Sequence, residues 1–279
     1  KYIKITNFLQ KKVHGTSFPN PTVFALIVES DKKFSSNRIV SFGFTQKGGR
    51  PHAEAVAISN VKFLKNKIYT LYSTLEPCCH EGREESCVEK IIKSNIQRII
   101  FSSKDPDKRV NGKGIKKLER SGLKVKYNIF ADEIQNPYKG YILNRKFNRP
   151  KVTLKVGCSM DSKIAVKRGQ RDQITNKIVK KIVHNIRSEH DAILVGGNTI
   201  KIDNPDLNCR IPGLENLSPY KVILSKSLNF DSNSKIFKSK NRNLNIIFTL
   251  ESNLKKIKSL KSKCYKVVTD RKSTRLNSS

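Results

Sequence analysis

The sequence predicts two α/β domains in one chain, the first of them a three-layer α/β/α sandwich. Strand-like and helix-like patterns alternate through residues 1–149, as expected when helices cover both faces of a sheet. Pro150 follows a polar stretch at 144–149, and a second alternating series begins beyond it. The length of 279 residues also suits two domains of ordinary size.

In the first half, apolar residues at three- and four-residue intervals predict helices, and β-branched or apolar runs predict strands. The predicted helices are 2–14, 52–64, 115–121 and 132–143. The predicted strands are 22–28, 39–45, 68–73, 98–102 and 124–129. Helices packed on both faces of such strands give the expected sandwich.

In the second half, the same patterns predict a helix at 176–187 and strands at 152–159, 191–195, 221–224, 244–249 and 264–268. Residues 270–279 contain a single apolar residue, Leu276, and resemble the translation of a sequencing-library adapter. We therefore expect 270–279 to be an unpacked, non-native tail, and the second domain to be incomplete and to end near residue 269.

The net charge of +33 arises from 56 basic and 23 acidic residues. Such a charge favours nonspecific contact with nucleic acid at low salt. The basic residues are mostly Lys and are spread along the chain, whereas sequence-reading surfaces favour Arg. No apolar run reaches the roughly 20 residues of a membrane helix, and no signal peptide is evident. The composition predicts a cytoplasmic protein with no membrane partner and no specific nucleic-acid partner.

The motif with the clearest chemistry begins at His52-Ala53-Glu54 and continues at Cys78 and Cys87. One imidazole and two thiolates form a ligand set that Zn²⁺ prefers, and they leave a fourth tetrahedral position open to water. Glu54 is positioned to carry a proton rather than to bind the metal, which is typical of zinc deaminases. Cys79 is a rival ligand.

Two features of this motif bear on the choice of ligands. Pro77 precedes Cys78, matching the usual proline-then-ligand order, so we assign Cys78 and leave Cys79 with a structural role. A closed structural zinc site would need His80 as its fourth ligand, and a chance cluster would bind no metal at all.

Four segments carry a family resemblance. GTSFPNP (15–21), GGRPHAE (48–54), STLEPCCHEGREESC (73–87) and KDPDKRVNGKGI (104–115) resemble the bifunctional deaminase–reductase family of riboflavin biosynthesis, RibD. The resemblance implies a cytidine-deaminase-like, zinc-dependent deaminase domain at 1–146. Its implied substrate is 2,5-diamino-6-(5-phospho-ribosylamino)pyrimidin-4-one, a small phosphorylated pyrimidine that is hydrolytically deaminated.

Carried over residue by residue, this resemblance implies His52, Cys78 and Cys87 as metal ligands and Glu54 as the catalytic residue. It also implies substrate contacts for Asn20 and His80. Asn20 offers both a donor and an acceptor, although Pro-Asn-Pro is also a common turn. His80 could equally belong to a solvated loop.

The second half resembles the reductase domain of the same family through VTLKVGCSMDSKIA (152–165) and RSEHDAILVGGNTIKIDNPDLNCR (187–210). This resemblance implies an incomplete dihydrofolate-reductase-like α/β domain at 150–269 that uses NADPH to reduce the ribosyl group to ribityl. The implied cofactor-binding residues are Gly157, Thr199 and Asp203, and the implied substrate-binding residues are Arg187, Leu207 and Arg210. Paired arginines suit a phosphate, although Arg187 is also explained as a helix-end cation.

Two departures from the reductase pattern are visible. The aromatic residue expected within 171–176 is absent, which puts the carry-over to Arg171 and Gln173 in doubt. No glycine occurs between Leu250 and Thr269, where a late phosphate-binding turn is expected. We therefore expect the reductase activity of this chain to be lost.

Two other functions stay open at this point. A deaminase acting on a nucleoside or an RNA base would use the same zinc motif, and the charge of +33 favours it. A basic nucleic-acid-binding protein with a structural zinc would leave Glu54 without a purpose. The family resemblance also implies a homo-oligomer.

Overall fold

Two units make up the chain in a computed structural model, Lys1–Thr153 and Leu154–Ser279. The structure describes residues 1–279 except 81, 83, 168, 170–173, 239–243, 253, 265 and 270–279. The tail expected at 270–279 and the questioned Arg171 and Gln173 therefore lie outside the described residues. Each unit has its own sheet.

The first unit is built on a mixed five-stranded sheet. Its strands are β1 (Phe24–Ser30), β2 (Asn37–Phe44), β3 (Ile68–Leu75), β4 (Arg98–Ser103) and β5 (Lys124–Lys126). They lie in the order β2-β1-β3-β4-β5, in which β1 is antiparallel to both of its neighbours and β3, β4 and β5 run parallel.

Helices cover both faces of this sheet. They are α1 (Tyr2–Lys12), α2 (Ala53–Ser59), α3 (Cys87–Lys93), α4 (Lys113–Arg120) and α5 (Ala131–Phe147). All seven residues of β1 are buried. Phe24, Leu26 and Val28 pack with α1, whereas Ala25 and Ile27 join the larger core that includes residues of α2, α3 and α4. Burial on both faces explains why β1 has a nearly continuous apolar sequence, and the predicted sandwich is confirmed.

Helix α3 was not predicted, because it begins inside the cysteine-rich segment. The Ser86 side chain accepts a hydrogen bond from the backbone N–H of Glu89 at 3.3 Å and caps the helix. The spacing of Ser86 and Glu89 is the sequence signature of a capping box, and it is the signal that could have identified this helix.

The second unit contains a four-stranded parallel sheet. Its strands, in spatial order, are β6 (Ala192–Gly196), β7 (Tyr220–Leu224), β8 (Asn245–Thr249) and β9 (Lys266–Thr269). Its helices are α6 (Lys177–Ser188), α7 (Gly197–Asp203), α8 (Lys235–Lys238) and α9 (Leu254–Lys261). The core of this unit includes Ile200, Ile223, Ile247 and Ile257, so strands and helices share one apolar centre.

The strand predicted at 152–159 is wrong. This segment has no regular secondary structure, and Val152 and Leu154 are 84% and 87% exposed. Alternating apolar residues favour a strand only where a neighbouring strand accepts the backbone hydrogen bonds. Within the described residues, neither edge strand of the second sheet, β6 or β9, pairs with this segment.

Other predicted elements differ in extent. The helix predicted over 52–64 ends at Ser59. Residues 61–64 continue the apolar pattern that led to the longer prediction, but they are not helical. Among the residues that the structure describes, no helix combines the length and apolarity needed to cross a membrane.

Candidate functional site

Three elements of the first unit converge on the histidine and cysteine cluster. His52 immediately precedes α2, Cys78 lies three residues beyond the end of β3, and Cys87 is the first residue of α3. Gly43 on β2 lets α2 approach the sheet, since a Cβ there would lie 2.5 Å from Ala53 O and 2.7 Å from Ala57 N. Close contact between strand and helix thus places the start of α2 at the site.

The ligand atoms of His52, Cys78 and Cys87 all lie within 4.8 Å of one another. His52 Nδ1 is 3.3 Å from Cys87 Sγ and 3.4 Å from Cys78 Sγ. The backbone N–H of Cys87 also donates to Cys78 Sγ at 3.3 Å. Cys79 is directed elsewhere, with its Sγ 3.5 Å from the carbonyl oxygen of Arg109. The structure therefore brings together the three residues assigned as ligands and separates Cys79 from them.

This donor set fits zinc by its chemistry, because two sulfurs and one imidazole nitrogen match the ligands that Zn²⁺ prefers. The hydrogen bond from Cys87, assisted by His52, lowers the pKa of Cys78 to about 4. The same thiol–thiol hydrogen bond, together with burial, raises the pKa of Cys87. Cys78 is thus held as a thiolate, which is the form that ligates metals.

Glu54 is buried beside this cluster and is 3% exposed. Burial raises the pKa of Glu54, since a charged carboxylate is poorly solvated there. Ser73 Oγ lies 2.9 Å from Glu54 Oε1 and 3.0 Å from the carbonyl oxygen of Leu75. When Glu54 is ionised, the Ser73 hydroxyl can donate to its carboxylate. When Glu54 is protonated, Ser73 can accept from it and donate to the carbonyl oxygen of Leu75 instead, so Ser73 can hold Glu54 in either protonation state. The arrangement suits a carboxyl group that gains and loses a proton.

Glu76 is a buried residue of the site that sequence reasoning missed. Its carboxylate accepts the backbone N–H of Gly112 at 2.9 and 3.0 Å and that of Asp105 at 3.3 Å. These bonds attach the 105–112 loop to the chain just before Cys78. A charged residue between an apolar strand and a Pro-Cys pair is the signal that could have identified it.

The two predicted substrate residues of this unit lie in different surroundings. Asn20 donates its side-chain N–H to the carbonyl oxygen of Gly49 at 3.0 Å, which ties it to the loop that precedes His52. His80 is half-buried, and its Nδ1 has no hydrogen-bond partner among the described residues. Asn20 therefore positions a loop in this structure, whereas His80 Nδ1 is available to a hydrogen-bond partner that the described residues do not provide.

In the second unit, the loop 206–210 is held against α6. Arg187 Nη1 donates to the carbonyl oxygen of Asn208 at 3.0 Å, and the backbone N–H of Arg210 donates to His184 Nδ1 at 3.1 Å. Leu207 is buried in the core with a left-handed φ of 58°. Such a conformation is strained for a leucine, and strain of this kind is concentrated at functional sites. The predicted substrate residues Arg187, Leu207 and Arg210 are thus connected through one loop.

The predicted cofactor residues are only partly brought together. Thr199 and Asp203 lie four residues apart on α7, directly after β6, and so share one face of that helix. A hydroxyl and a carboxylate on one face suit hydrogen bonds to the polar groups of NADPH. Gly157 lies in the irregular 152–159 segment, which contributes no strand to either sheet.

Comparison with known proteins connects both units to one family. Residues 2–103 match the cytidine and deoxycytidylate deaminase zinc-binding region, and residues 150–278 match the RibD C-terminal domain. These matches confirm the two predicted fold classes, cytidine-deaminase-like and dihydrofolate-reductase-like. They imply zinc for the first unit and NADPH for the second.

Individual relatives match most of the chain. The riboflavin biosynthesis protein RibD of Aquifex aeolicus is 35% identical over 96% of this chain and 72% of that protein. RibD of Synechocystis is 34% identical over 79% of this chain and 57% of that protein. The chain therefore spans between just over half and just under three quarters of the length of these two relatives.

Solved structures agree with this relationship. The diaminohydroxyphosphoribosylaminopyrimidine deaminase/5-amino-6-(5-phosphoribosylamino)uracil reductase of Thermotoga maritima has a TM-score of 0.81 at 30% identity, covering 99% of this chain and 75% of that chain. Acinetobacter baumannii RibD has a TM-score of 0.79 at 25% identity, covering 96% of this chain and 79% of that chain. The chain belongs to the RibD family of riboflavin biosynthesis proteins.

Proposed function

We propose that the first unit is a zinc-dependent hydrolytic deaminase of 2,5-diamino-6-(5-phospho-ribosylamino)pyrimidin-4-one. The observation that carries this proposal is the convergence of His52, Cys78 and Cys87 beside the buried Glu54. A three-residue ligand set leaves one position for a reacting molecule, as in catalytic rather than structural zinc sites. The adjacent carboxyl group supplies the proton transfer that hydrolysis requires.

Bound zinc would supply Lewis-acid activation of a water molecule at this cluster. Hydrolysis forms a bond between the water oxygen and the ring carbon that carries the amine, and it breaks the bond from that carbon to nitrogen. Glu54 takes up a proton from water and delivers it to the leaving nitrogen, so that ammonia departs neutral. Ser73 keeps Glu54 in place in both of its protonation states.

The second unit is proposed to bind the deaminated product and NADPH as a ribosyl reductase does, with NADPH supplying the hydride when bound. The departures described at 171–176 and between Leu250 and Thr269 lead us to expect little or no reduction by this chain itself. Arg187 and Arg210 would hold the substrate phosphate, because a guanidinium group pairs with phosphate through two parallel hydrogen bonds. Thr199 and Asp203 would contact the cofactor from α7. The support for the two arginines is the loop 206–210. Arg187 donates to Asn208 O in this loop, and Arg210, at its end, donates its backbone N–H to His184 on α6.

The experiment that tests the deaminase compares three substrates at one zinc-replete enzyme concentration: the pyrimidine phosphate, cytidine and a transfer RNA. We expect ammonia to be released from the pyrimidine phosphate alone. Faster release from cytidine or transfer RNA would replace this proposal with the nucleic-acid deaminase that the charge of +33 favours.

A further inference from the structure

Helix α1 of the first unit presents a row of basic and aromatic side chains on its outer face. Lys4, Phe8 and Lys12 follow one another at four-residue spacing, so they lie along one stripe of the helix. Lys11 lies three residues from Phe8 and borders the same stripe. All of these side chains are exposed, and the row from Lys4 to Lys12 is about 12 Å long. No Asp or Glu precedes Glu29 in the chain, so α1 itself carries no opposing charge.

Two exposed aromatic rings belong to this surface, and each has an ammonium group beside it. Phe8 is 58% exposed, and Lys12 Nζ lies 5.2 Å from the centre of its ring. Phe130, the residue before α5, is 42% exposed, and Lys4 Nζ lies 4.6 Å from the centre of its ring. The contact between Lys4 and Phe130 joins the second ring to the row. Together, Lys4, Phe8, Lys11, Lys12 and Phe130 form what we name the α1 surface.

The lysines of the α1 surface are not paired with carboxylates of the fold. Within the part of the chain that the structure describes, none of Lys4, Lys11 and Lys12 forms an ion pair. Two exposed carboxylates, Asp132 and Glu133, lie in the first turn of α5 and form the negative edge of this surface. The positive charge of the row is therefore available to an anionic partner, on the α1 side of that edge.

A basic helix with aromatic residues suits two kinds of polyanion, a membrane surface or a nucleic acid. A helix that binds a membrane surface inserts its apolar face into the lipid. In α1 that face is already occupied, because Ile3 is buried and Ile5 and Leu9 pack against the core formed with β1. A single strand of nucleic acid needs no such face, since its bases stack on exposed rings and its phosphates pair with cations. The packing of α1 thus favours the nucleic acid.

We propose that the α1 surface binds single-stranded nucleic acid without sequence preference. Bases stack on Phe8 and Phe130, and the lysines of the surface pair with the phosphates of the strand. Lysine forms no bidentate contact with a base edge, so this surface reads no sequence.

The α1 surface is separate from the metal ligands. Helix α1 packs on one face of the first sheet, whereas α2 and α3 pack on the other face. His52 precedes α2 and Cys87 begins α3, so the zinc cluster belongs to that other face. The proposed binding activity is therefore independent of deamination, and it does not rest on the proposed function.

The charge of the surface is tested by the salt dependence of binding. Fluorescence anisotropy measures the affinity of the full-length chain for a labelled oligothymidine at several salt concentrations. The double variant Lys4→Gln/Lys12→Gln should lower the slope of log affinity against log salt by about 1.4, because each phosphate contact to a single strand contributes about 0.7. Lys32→Gln/Lys33→Gln, in the exposed turn between β1 and β2, removes the same charge elsewhere and should leave the slope unchanged.

The stacking is tested by removing a ring without changing the charge. Phe8→Leu should weaken binding of the oligothymidine about tenfold at an unchanged salt slope, because one stacked base is lost. Phe147→Leu is the matched control, since Phe147 is 63% exposed beside Arg149 but lies at the opposite end of α5 from Phe130. On an oligonucleotide that lacks bases, Phe8→Leu should bind as the unsubstituted protein does.

Thermal unfolding shows that each variant is folded, and saturating oligothymidine should leave the turnover of the pyrimidine phosphate unchanged. Equal effects of a variant and its control would overturn the assignment to the α1 surface. Tighter binding of phosphatidylserine vesicles or of duplex DNA than of the oligothymidine would overturn the choice of partner. Displacement of the oligothymidine by the pyrimidine phosphate would place the strand at the catalytic site instead. A chain that shows no deamination but gives the expected slopes would contradict the proposed function alone.

Discussion

The buried groups closest to the metal ligands and those beside the 206–210 loop are satisfied in different ways, although each unit also has other buried polar atoms without hydrogen-bond partners among the described residues. In the first unit, Glu54, Glu76 and Cys78 all receive hydrogen bonds from the chain itself. In the second unit, Arg187 Nε and Asp206 Oδ1 are buried without hydrogen-bond partners among the described residues. For these particular groups, the contrast indicates that Glu54, Glu76 and Cys78 are positioned by folding alone, whereas Arg187 and Asp206 are left with polar atoms that a ligand could satisfy.

The largest expected effect tests whether the first site is a zinc site built from these particular cysteines. Cys78→Ser should reduce bound zinc from about one ion per chain to a small fraction of that, and abolish deamination, because one of the two thiolate ligands is lost. Cys79→Ser is the neighbouring control and should keep both zinc and activity. Metal analysis by mass spectrometry and an ammonia assay measure the outcome, and the reverse pattern would exchange the two assignments.

The second prediction concerns the proton carrier rather than the metal. Glu54→Gln should lower the deamination rate by about 10²–10⁴-fold while zinc stays bound, since the amide keeps the shape of the side chain but transfers no proton. Glu119→Gln, on the exposed side of α4, is the control. A Glu54→Gln protein with full zinc content and unchanged turnover would remove Glu54 from the mechanism.

The third prediction tests how the fold places α2 against the sheet. In Gly43→Ala, the new methyl group would overlap the backbone of α2, and we expect a loss of about 1–3 kcal/mol in the free energy of unfolding, together with weaker zinc retention. Gly196→Ala in the second unit is the matched control, because an added Cβ there meets no atom within 4 Å. Urea unfolding of both variants gives the comparison. Equal stability of the two would show that α2 shifts without cost.

The smallest expected effect is a pH dependence confined to the first unit. Burial raises the pKa of Asp105 from 3.8 to about 6, although Asp107 N–H and Tyr141 Oη–H donate to its carboxylate. The folded chain therefore binds this proton more tightly than the unfolded chain, so stability falls as the pH rises from about 4 to about 6.

Asp105→Asn removes this titration and keeps an acceptor oxygen for both donors. At pH 7 its free energy of unfolding should exceed that of the unsubstituted protein by roughly 1–2 kcal/mol, after allowance for solvent screening. Near pH 4 the difference should vanish. A constant difference at both pH values would assign the effect to packing instead of to the proton.

The sequence was most informative where one local pattern determines both structure and chemistry. The apolar run at 22–28 predicts a strand, and the structure has β1 there. His52, Glu54, Cys78 and Cys87 carry their chemistry in their spacing. Contacts between distant segments left no such local signal. The approach of Gly43 to α2 and the attachment of Glu76 to Gly112 join residues that are close only after folding. The irregular 152–159 segment shows the opposite case, in which a strand pattern exists without a strand to pair with.

The attachment of the 105–112 loop by Glu76 has a consequence for hydrogen exchange. Loop amides normally exchange rapidly with solvent, because local opening of a loop costs little free energy. The amides of Gly112 and Asp105 donate instead to a buried carboxylate at the end of β3. Their protons can exchange only when that carboxylate releases them, so these two amides should be protected to a degree closer to that of the central sheet than to that of a surface loop.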